Sequence, residues 1–503
     1  MFHQQCADSL CPVTQTVIAL ARDGRQISLL STQTGTVLDT SARLPFSMYG
    51  TAVDEDFGWL AAAGNERTEQ HVNVALLRLR RAEDGTLCGF DAAATHAFGV
   101  GRLSRGSRNQ ANSVRFGCSR QLALPAAAAC AAASPTLVCV VLVGSQDGSV
   151  YVYPLPTAAA ADAPQPGRRA LVRHRYETAV NCAAASPDGR WLAATGDTDV
   201  VYVVGCDTGF LELAACERLG LRLTRRQRLQ TESAGSQYCV WSADGQRLAA
   251  SSDTLHAVAV WAVPPPGAPA EFVPLARFAE FPRPALALTF LPPTADGSHL
   301  LAWSELDSNV YVADVDFAGA NDAWARPLYN SCGMREMRSR GVQRIRLPPP
   351  AAPPELLAPM AYLNRITGLC CVGGALYVAQ TARISRFPIL AAWSKAQHAH
   401  FPAAFRRAVR TLLLGAAQST PTDESAPAAP LLACLPKELL VHIVALAAMP
   451  RTCWLPARLS QQGEDALYIG RRELRDRPML TDDEDDEDLD QMLGLGASSE
   501  DEE

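Results

Sequence analysis

The sequence predicts an all-β chain: a seven-bladed β-propeller over residues 13–393, followed by a small α-helical appendage over 400–475 and a disordered acidic tail over 481–503. Two observations carry the propeller. An apolar strand, an Asp-Gly pair or a close relative, and a second apolar strand recur as TAVNCAAASPDGRWLAATGDTDVVYVV (178–204), SAGSQYCVWSADGQRLAASSDTLHAVAVWAV (233–263) and, more loosely, PALALTFLPPTADGSHLLAWSELDSNVYVADV (284–315). A fourth stretch, VCVVLVGSQDGSVYVYPLP (138–156), keeps the second half of the phrase. Self-similarity at roughly 40–55 residues with several short strands per unit is the signature of propeller blades. The second observation is that the strands alternate apolar and polar positions, or are apolar throughout, as half-buried and central strands do.

The remaining blades follow in order. Residues 13–45 read as two strands hinged at Asp23-Gly24, with a Thr34-Gly35 turn after them. In 46–100, GWLAAAG and HVNVALLRLR read as middle strands; 111–156 is interrupted by an Ala-rich insert at 123–135; and 360–390 supplies the seventh blade. Asp147-Gly148, Asp188-Gly189, Asp244-Gly245 and Asp296-Gly297 each lie between apolar runs. They are expected to form type I′ hairpin turns, whose two central residues both need positive φ. Residues 156–169 and 326–359 read as long connections, the first between blades.

AAASPDGRWLAATGDTDVVYVV and CVWSADGQRLAASSDTLHAVAVWAV resemble blades of WD-repeat proteins, with a feel closest to such proteins of fungi and plants. The naming Trp-Asp pair is absent, Val260-Trp261-Ala262 coming closest, and so is the Gly-His that often opens a repeat. The resemblance implies a binding platform, and a non-catalytic scaffold for protein partners is the expected function.

After the propeller the pattern turns helical. Phe405, Val409, Leu412 and Leu413 form a stripe with Arg406, Arg407 and Arg410 off it. A second helix is expected from Pro436, which suits a first helical turn. The phrase Leu435-Pro436-Lys437-Glu438-Leu439-Leu440, with Ile443 three residues on, resembles the start of an F-box, and the helix pair resembles a SOCS box. That resemblance implies the substrate receptor of a cullin-type ubiquitin ligase, with Leu435, Pro436, Leu439, Leu440 and Ile443 engaging a Skp-type adaptor.

A different class of function rests on three Arg-rich stretches, 102–108, 222–228 and 335–346. If Arg222, Arg225, Arg226, Arg335, Arg338, Arg340 and Arg344 converged with the first stretch on one face, they would bind RNA or a ribonucleoprotein. The tail holds twelve acids and no base, so the chain's net charge of −7 becomes about +5 once they are set aside. Like-charge repulsion and scarce apolar groups predict a disordered tail.

Other classes find little support. The start of the chain shows no signal-peptide pattern and no run is long and apolar enough to span a membrane, so a cytoplasmic or nuclear protein is expected. The fifteen cysteines are scattered without zinc spacing and read as reduced, buried small residues. No phosphate loop, HExxH or GxSxG occurs, so no catalytic residue, cofactor, metal or small-molecule substrate is expected.

Overall fold

A computed structural model describes residues 9–22, 25–54, 58–66, 72–100, 110–119, 138–154, 172–205, 226–231, 235–252, 256–266, 271–278, 284–292, 299–305, 309–316, 328–329, 335–337, 342–347, 366–380, 383–389, 407, 409–413, 439–440 and 466–468. Their strands build seven sheets, each begun by four successive or nearly successive antiparallel strands.

Blade 1 is β1 (Leu10–Thr14), β2 (Val17–Arg22), β3 (Gln26–Ser31) and β4 (Val37–Thr40). Blade 2 is β5 (Phe46–Asp54), β6 (Trp59–Glu66), β7 (Val74–Arg81) and β8 (Leu87–Phe98). Blade 3 is β9 (Ala111–Ser119), β10 (Val138–Ser145), β11 (Ser149–Pro154) and β12 (Val172–Arg175). Blade 4 is β13 (Val180–Ala185), β14 (Trp191–Gly196), β15 (Val200–Gly205) and β16 (Arg226–Gln230). Blade 5 is β17 (Ser236–Trp241), β18 (Arg247–Ser252), β19 (Ala257–Ala262) and β20 (Val273–Phe278). Blade 6 begins with β21 (Ala285–Phe290), β22 (Leu300–Glu305) and β23 (Asn309–Asp314). The chain then lays β24 (Leu328–Tyr329) and β25 (Arg335–Met337) on blade 5, β25 running parallel to β20, before β26 (Val342–Arg346) completes blade 6. Blade 7 is β27 (Ile366–Val372), β28 (Ala375–Gln380), β29 (Arg383–Pro388) and β30 (Ala466–Tyr468).

The first strands of the blades, β1, β5, β9, β13, β17, β21 and β27, contact one another in a closed ring, β27 meeting β1. They surround the channel, and the strands of each blade are termed A to D outward from it. Faces of adjacent sheets carry the core. Between blades 4, 5 and 6 it holds Trp191, Trp261, Phe278 and Trp303 among Ala193, Ala249, Ala250 and Ala259. Burial of such aromatic and aliphatic area between sheets is the main stabilising contribution. The B strands β6, β14 and β18 read Leu-Ala-Ala, small side chains that let neighbouring sheets approach where the wedge narrows toward the channel.

Six of the seven A strands carry a bulge near their start, with the extra residue at or beside Tyr49, Asn112, Asn181, Gln237, Leu286 and Thr367. A bulge re-aims a side chain and its carbonyl. Where the partner strand carries glycine, the bulge leaves no room for a side chain: a Cβ on Gly64 would lie 1.9 Å from the Ser47 carbonyl oxygen, and one on Gly196 2.1 Å from that of Ala179.

Several expectations are corrected. Three of the Asp-Gly turns are not type I′, because Asp147, Asp188 and Asp244 do not have positive φ while Gly148, Gly189 and Gly245 do; Asp296-Gly297 lies outside the described residues. Each glycine N–H instead donates to the carbonyl of the residue three before it, Ser145, Ser186 or Ser242. This is a turn closed by an αL glycine, which absorbs the twist in one residue. Residues 155–171 join strands C and D within blade 3 rather than linking blades. Within 326–359 lie β24, β25 and β26, so that stretch is partly sheet. The fourth strand of blade 7 comes from inside the segment expected to be a helical appendage; its three residues are too few to show an alternating pattern. Helical turns do occur at 409–413, where Val409 and Leu413 are buried and Arg407 before them is exposed, and at 439–440.

Candidate functional site

Antiparallel strands sort the connections. A–B and C–D connections leave from one end of the propeller, and B–C and D–A connections from the other. The first is termed the A–B end and the second the B–C end.

At the A–B end, two Ser-x-Asp-Gly turns tie neighbouring blades together. In blade 4, the Ser186 hydroxyl donates to Asp188 Oδ1 (2.5 Å) and accepts from Trp191 N–H (3.0 Å). Arg190 Nε donates to Asp188 Oδ2 (2.5 Å), and its Nη1 and Nη2 reach the Pro264 carbonyl of blade 5 at 3.5 and 3.4 Å. Partial burial pushes the Asp188 carboxyl up, but donors from Ser186 and Arg190 outweigh it and hold the pKa below the usual carboxylate value.

Blade 5 repeats the turn with different partners. Ser242 Oγ donates to Asp244 Oδ1 (2.6 Å) and accepts from Arg247 N–H (2.9 Å). The second Asp244 oxygen meets His299 Nε2 of blade 6 at 2.7 Å. The other ring nitrogen, Nδ1, faces Asp316 Oδ2, which also accepts from the His299 backbone N–H (2.8 Å). Arg247 Nε donates across the blade boundary to Asp316 Oδ1 at 2.7 Å. His299 is only 5% exposed. Its hydrogen bond to Asp316, opposed by desolvation and reinforced by Asp244, raises its pKa above the ordinary imidazole value. For Asp244 and Asp316, desolvation pushes upward and is outweighed by the surrounding donors, so both carboxyls are held low.

At the B–C end, neutral side chains donate hydrogen bonds from blade to blade. Asn112 Nδ2 donates to the Val180 carbonyl of blade 4 (2.9 Å) and to Gln146 Oε1 (3.1 Å). One blade on, Asn181 Nδ2 donates to Asp197 Oδ1 (2.8 Å) and to the Ser236 carbonyl of blade 5 (3.5 Å). Thr195 Oγ1 donates to the Gln237 carbonyl at 3.1 Å.

The residues singled out from sequence fall as follows. Leu439 is 42% exposed and Leu440 5% exposed; Leu435, Pro436 and Ile443 lie outside the described residues. Arg226 begins β16, Arg335 begins β25 and Arg344 lies in β26 opposite Tyr311, so these three are strand rather than loop residues. Arg222, Arg225, Arg338 and Arg340 lie outside the described residues. Topology divides the basic stretches: the connection containing 102–108 belongs to the B–C end, while 206–225 and 315–341 are C–D connections of the opposite end. The connections of the second and third stretches thus share one end, and that of the first belongs to the other.

Sequence reasoning missed His299, Asp316 and the stapling asparagines. The asparagines had a signal, a polar residue recurring at the second position of an A strand in ANSV, VNCA and SQYC. His299 had none, since its partners come from another blade and another strand. Among the described residues no cluster of His, Cys, Asp and Glu could hold a metal ion, and no helix is long and apolar enough to cross a membrane.

Comparison with known proteins gives one family match: residues 168–203 match the family described as WD domain, G-beta repeat. The matched stretch runs from strand D of blade 3 through strands A to C of blade 4, so the sequence repeat and the structural blade are offset by one strand. The chain is also similar to the crystal structure of the WD40 β-propeller domain of Doa1, at 11% identity and a TM-score of 0.41, over 76% of this chain and 91% of that one. No curated protein matches it. The chain is a seven-bladed β-propeller in which the stretch at 168–203 matches the WD domain, G-beta repeat family.

Proposed function

We propose that this chain is a non-catalytic protein-interaction scaffold whose partners dock on the A–B end. The distribution of connections is the observation that supports this reading. Residues 120–137, 155–171, 206–225, 315–341 and 389–465 all join strand A to B or C to D, so five of the six lengthy connections belong to one end. The B–C end has 347–365 as its longest connection and otherwise turns or shorter links. Long connections held on a rigid sheet scaffold are where binding surfaces concentrate. The inter-blade ties at Asp188 and His299 fix the platform from which they spring.

The test compares exposed substitutions at the two ends of the full chain. Ala243→Arg with Gln246→Glu alters the A–B end, and Asp199→Arg the B–C end. Loss of native-cell partners from the first variant alone supports the reading; loss from the second alone overturns it.

A narrower second reading makes the chain the substrate receptor of a cullin-type ubiquitin ligase. It is favoured by Leu439, a large apolar side chain left 42% exposed within the 389–465 connection. Co-purification of a cullin with the wild-type chain and its loss on Leu439→Asp would support it. A cullin-free eluate from the wild-type chain would sink it and leave the broader scaffold reading standing.

A further inference from the structure

We propose that His299 is a proton-dependent clamp between blades 5 and 6 that pins the root of the 315–341 connection. The geometry demands a proton. Both ring nitrogens face carboxylate oxygens, Asp244 Oδ2 on one side and Asp316 Oδ2 on the other. A carboxylate only accepts, so both nitrogens must donate, and only the imidazolium has two N–H groups. Neutral His299 would turn one lone pair toward a carboxylate at hydrogen-bonding distance.

What the clamp holds is defined by its neighbours. The described charged groups around it are Asp244 in the turn between β17 and β18, Arg247 at the start of β18, and Asp316 just beyond β23, whose N–H is tied to Asp314 Oδ1 at 2.9 Å. Asp316 heads the connection that crosses to blade 5 and lays β25 along Ala276–Phe278 of β20. Arg247 shares Asp316 with His299, so deprotonation leaves one cation where there were two. The turn of blade 5 and the root of the crossing segment then lose their common tie, and the six-stranded sheet loses the anchor of its outer strands.

The sign follows from linkage. A histidine whose folded pKa is raised contributes stability that is fully present below the unfolded value, about 6.5, and lost as pH rises through the folded value. The clamp therefore holds at mildly acidic pH and releases toward alkaline pH. No partner is needed to observe this, so the inference stands or falls independently of the scaffold reading.

Hydrogen exchange on the full chain, corrected for its intrinsic pH dependence, tests it. In the wild type, protection of peptides covering 242–252 and 335–346 should fall on raising the pH, by about tenfold for each pKa unit by which His299 is raised. His299→Gln should show low protection with no such transition. Asp244→Asn, which offers a donor to the neutral ring, should keep the clamp when His299 is deprotonated and so abolish the fall in protection. A wild-type profile that is flat, or one that His299→Gln leaves unchanged, overturns the proposal. Should His299→Gln not fold, an Asp244→Asn transition at the wild-type pH overturns it equally.

Discussion

Ser9 and Thr367, 358 positions apart, close the ring: Ser9 Oγ lies 2.8 Å from both the carbonyl oxygen and the hydroxyl of Thr367, and the Ser9 N–H donates to the same carbonyl at 3.0 Å. Blade 1 uses only strands from the start of the described chain and blade 7 only strands from its end. Among the described residues no strand is exchanged across the seam, so closure depends on the contact between β1 and β27. Gly368 permits it, since a Cβ there would lie 2.8 Å from the Leu10 backbone nitrogen.

The seam should therefore be sensitive out of proportion to its size. Ser9→Ala is expected to lower unfolding free energy by about 1 kcal/mol, the net worth of a hydrogen bond. Gly368→Val should cost more, on the order of 1–3 kcal/mol, through steric overlap with β1. Denaturant unfolding measures both; equal stability of Gly368→Val and wild type would contradict the closure described.

The glycine opposite a bulge makes a second test. Gly196→Ala should destabilise blade 4 by about 2 kcal/mol or more, because backbone rather than a flexible side chain occupies the space. Gly85→Ala has open space around it and strain only from its positive φ of 82°, so it should cost less. Thermal melts of the pair decide the order.

Truncation probes β30. A chain ending at 394 lacks the fourth strand of blade 7 and exposes the edge of β29, whereas one ending after 468 retains it. The first should melt at lower temperature and aggregate; the second should match the full chain. Identical melting of the two would remove β30 from the account.

Acid should loosen the A–B end through its carboxylates. Asp188, Asp244 and Asp316 are each held below their usual pKa. Their contribution is present above the unfolded value, about 3.9, and is lost as pH falls through the folded values. Asp188→Asn should lower stability at pH 7 and flatten the acid limb of a stability–pH curve, with little effect near pH 3. An unchanged acid limb would show that the pair with Arg190 contributes nothing.

The sequence was most informative where chemistry is local. Recurrent Asp-Gly turns between apolar strands marked strands A to C of blades 4, 5 and 6, because turn and periodicity lie within a few residues of each other. Turn type was misjudged: the serine three residues ahead of the glycine, which closes the turn and caps Asp188 and Asp244, outweighs the dipeptide signal. D strands were least legible. β12, β16, β26 and β30 each follow a long connection, so no spacing ties them to their blade. His299 was hidden for the same reason at larger scale, its partner Asp244 being 55 residues away.

The most direct test of the central claim is hydroxyl-radical footprinting of the full chain with and without partners captured from its native cell. Protection concentrated at 186–190, 242–246 and 263–266, on the A–B end, is the predicted result. Protection confined to 146–148, 176–179 and 197–199, on the B–C end, would contradict it.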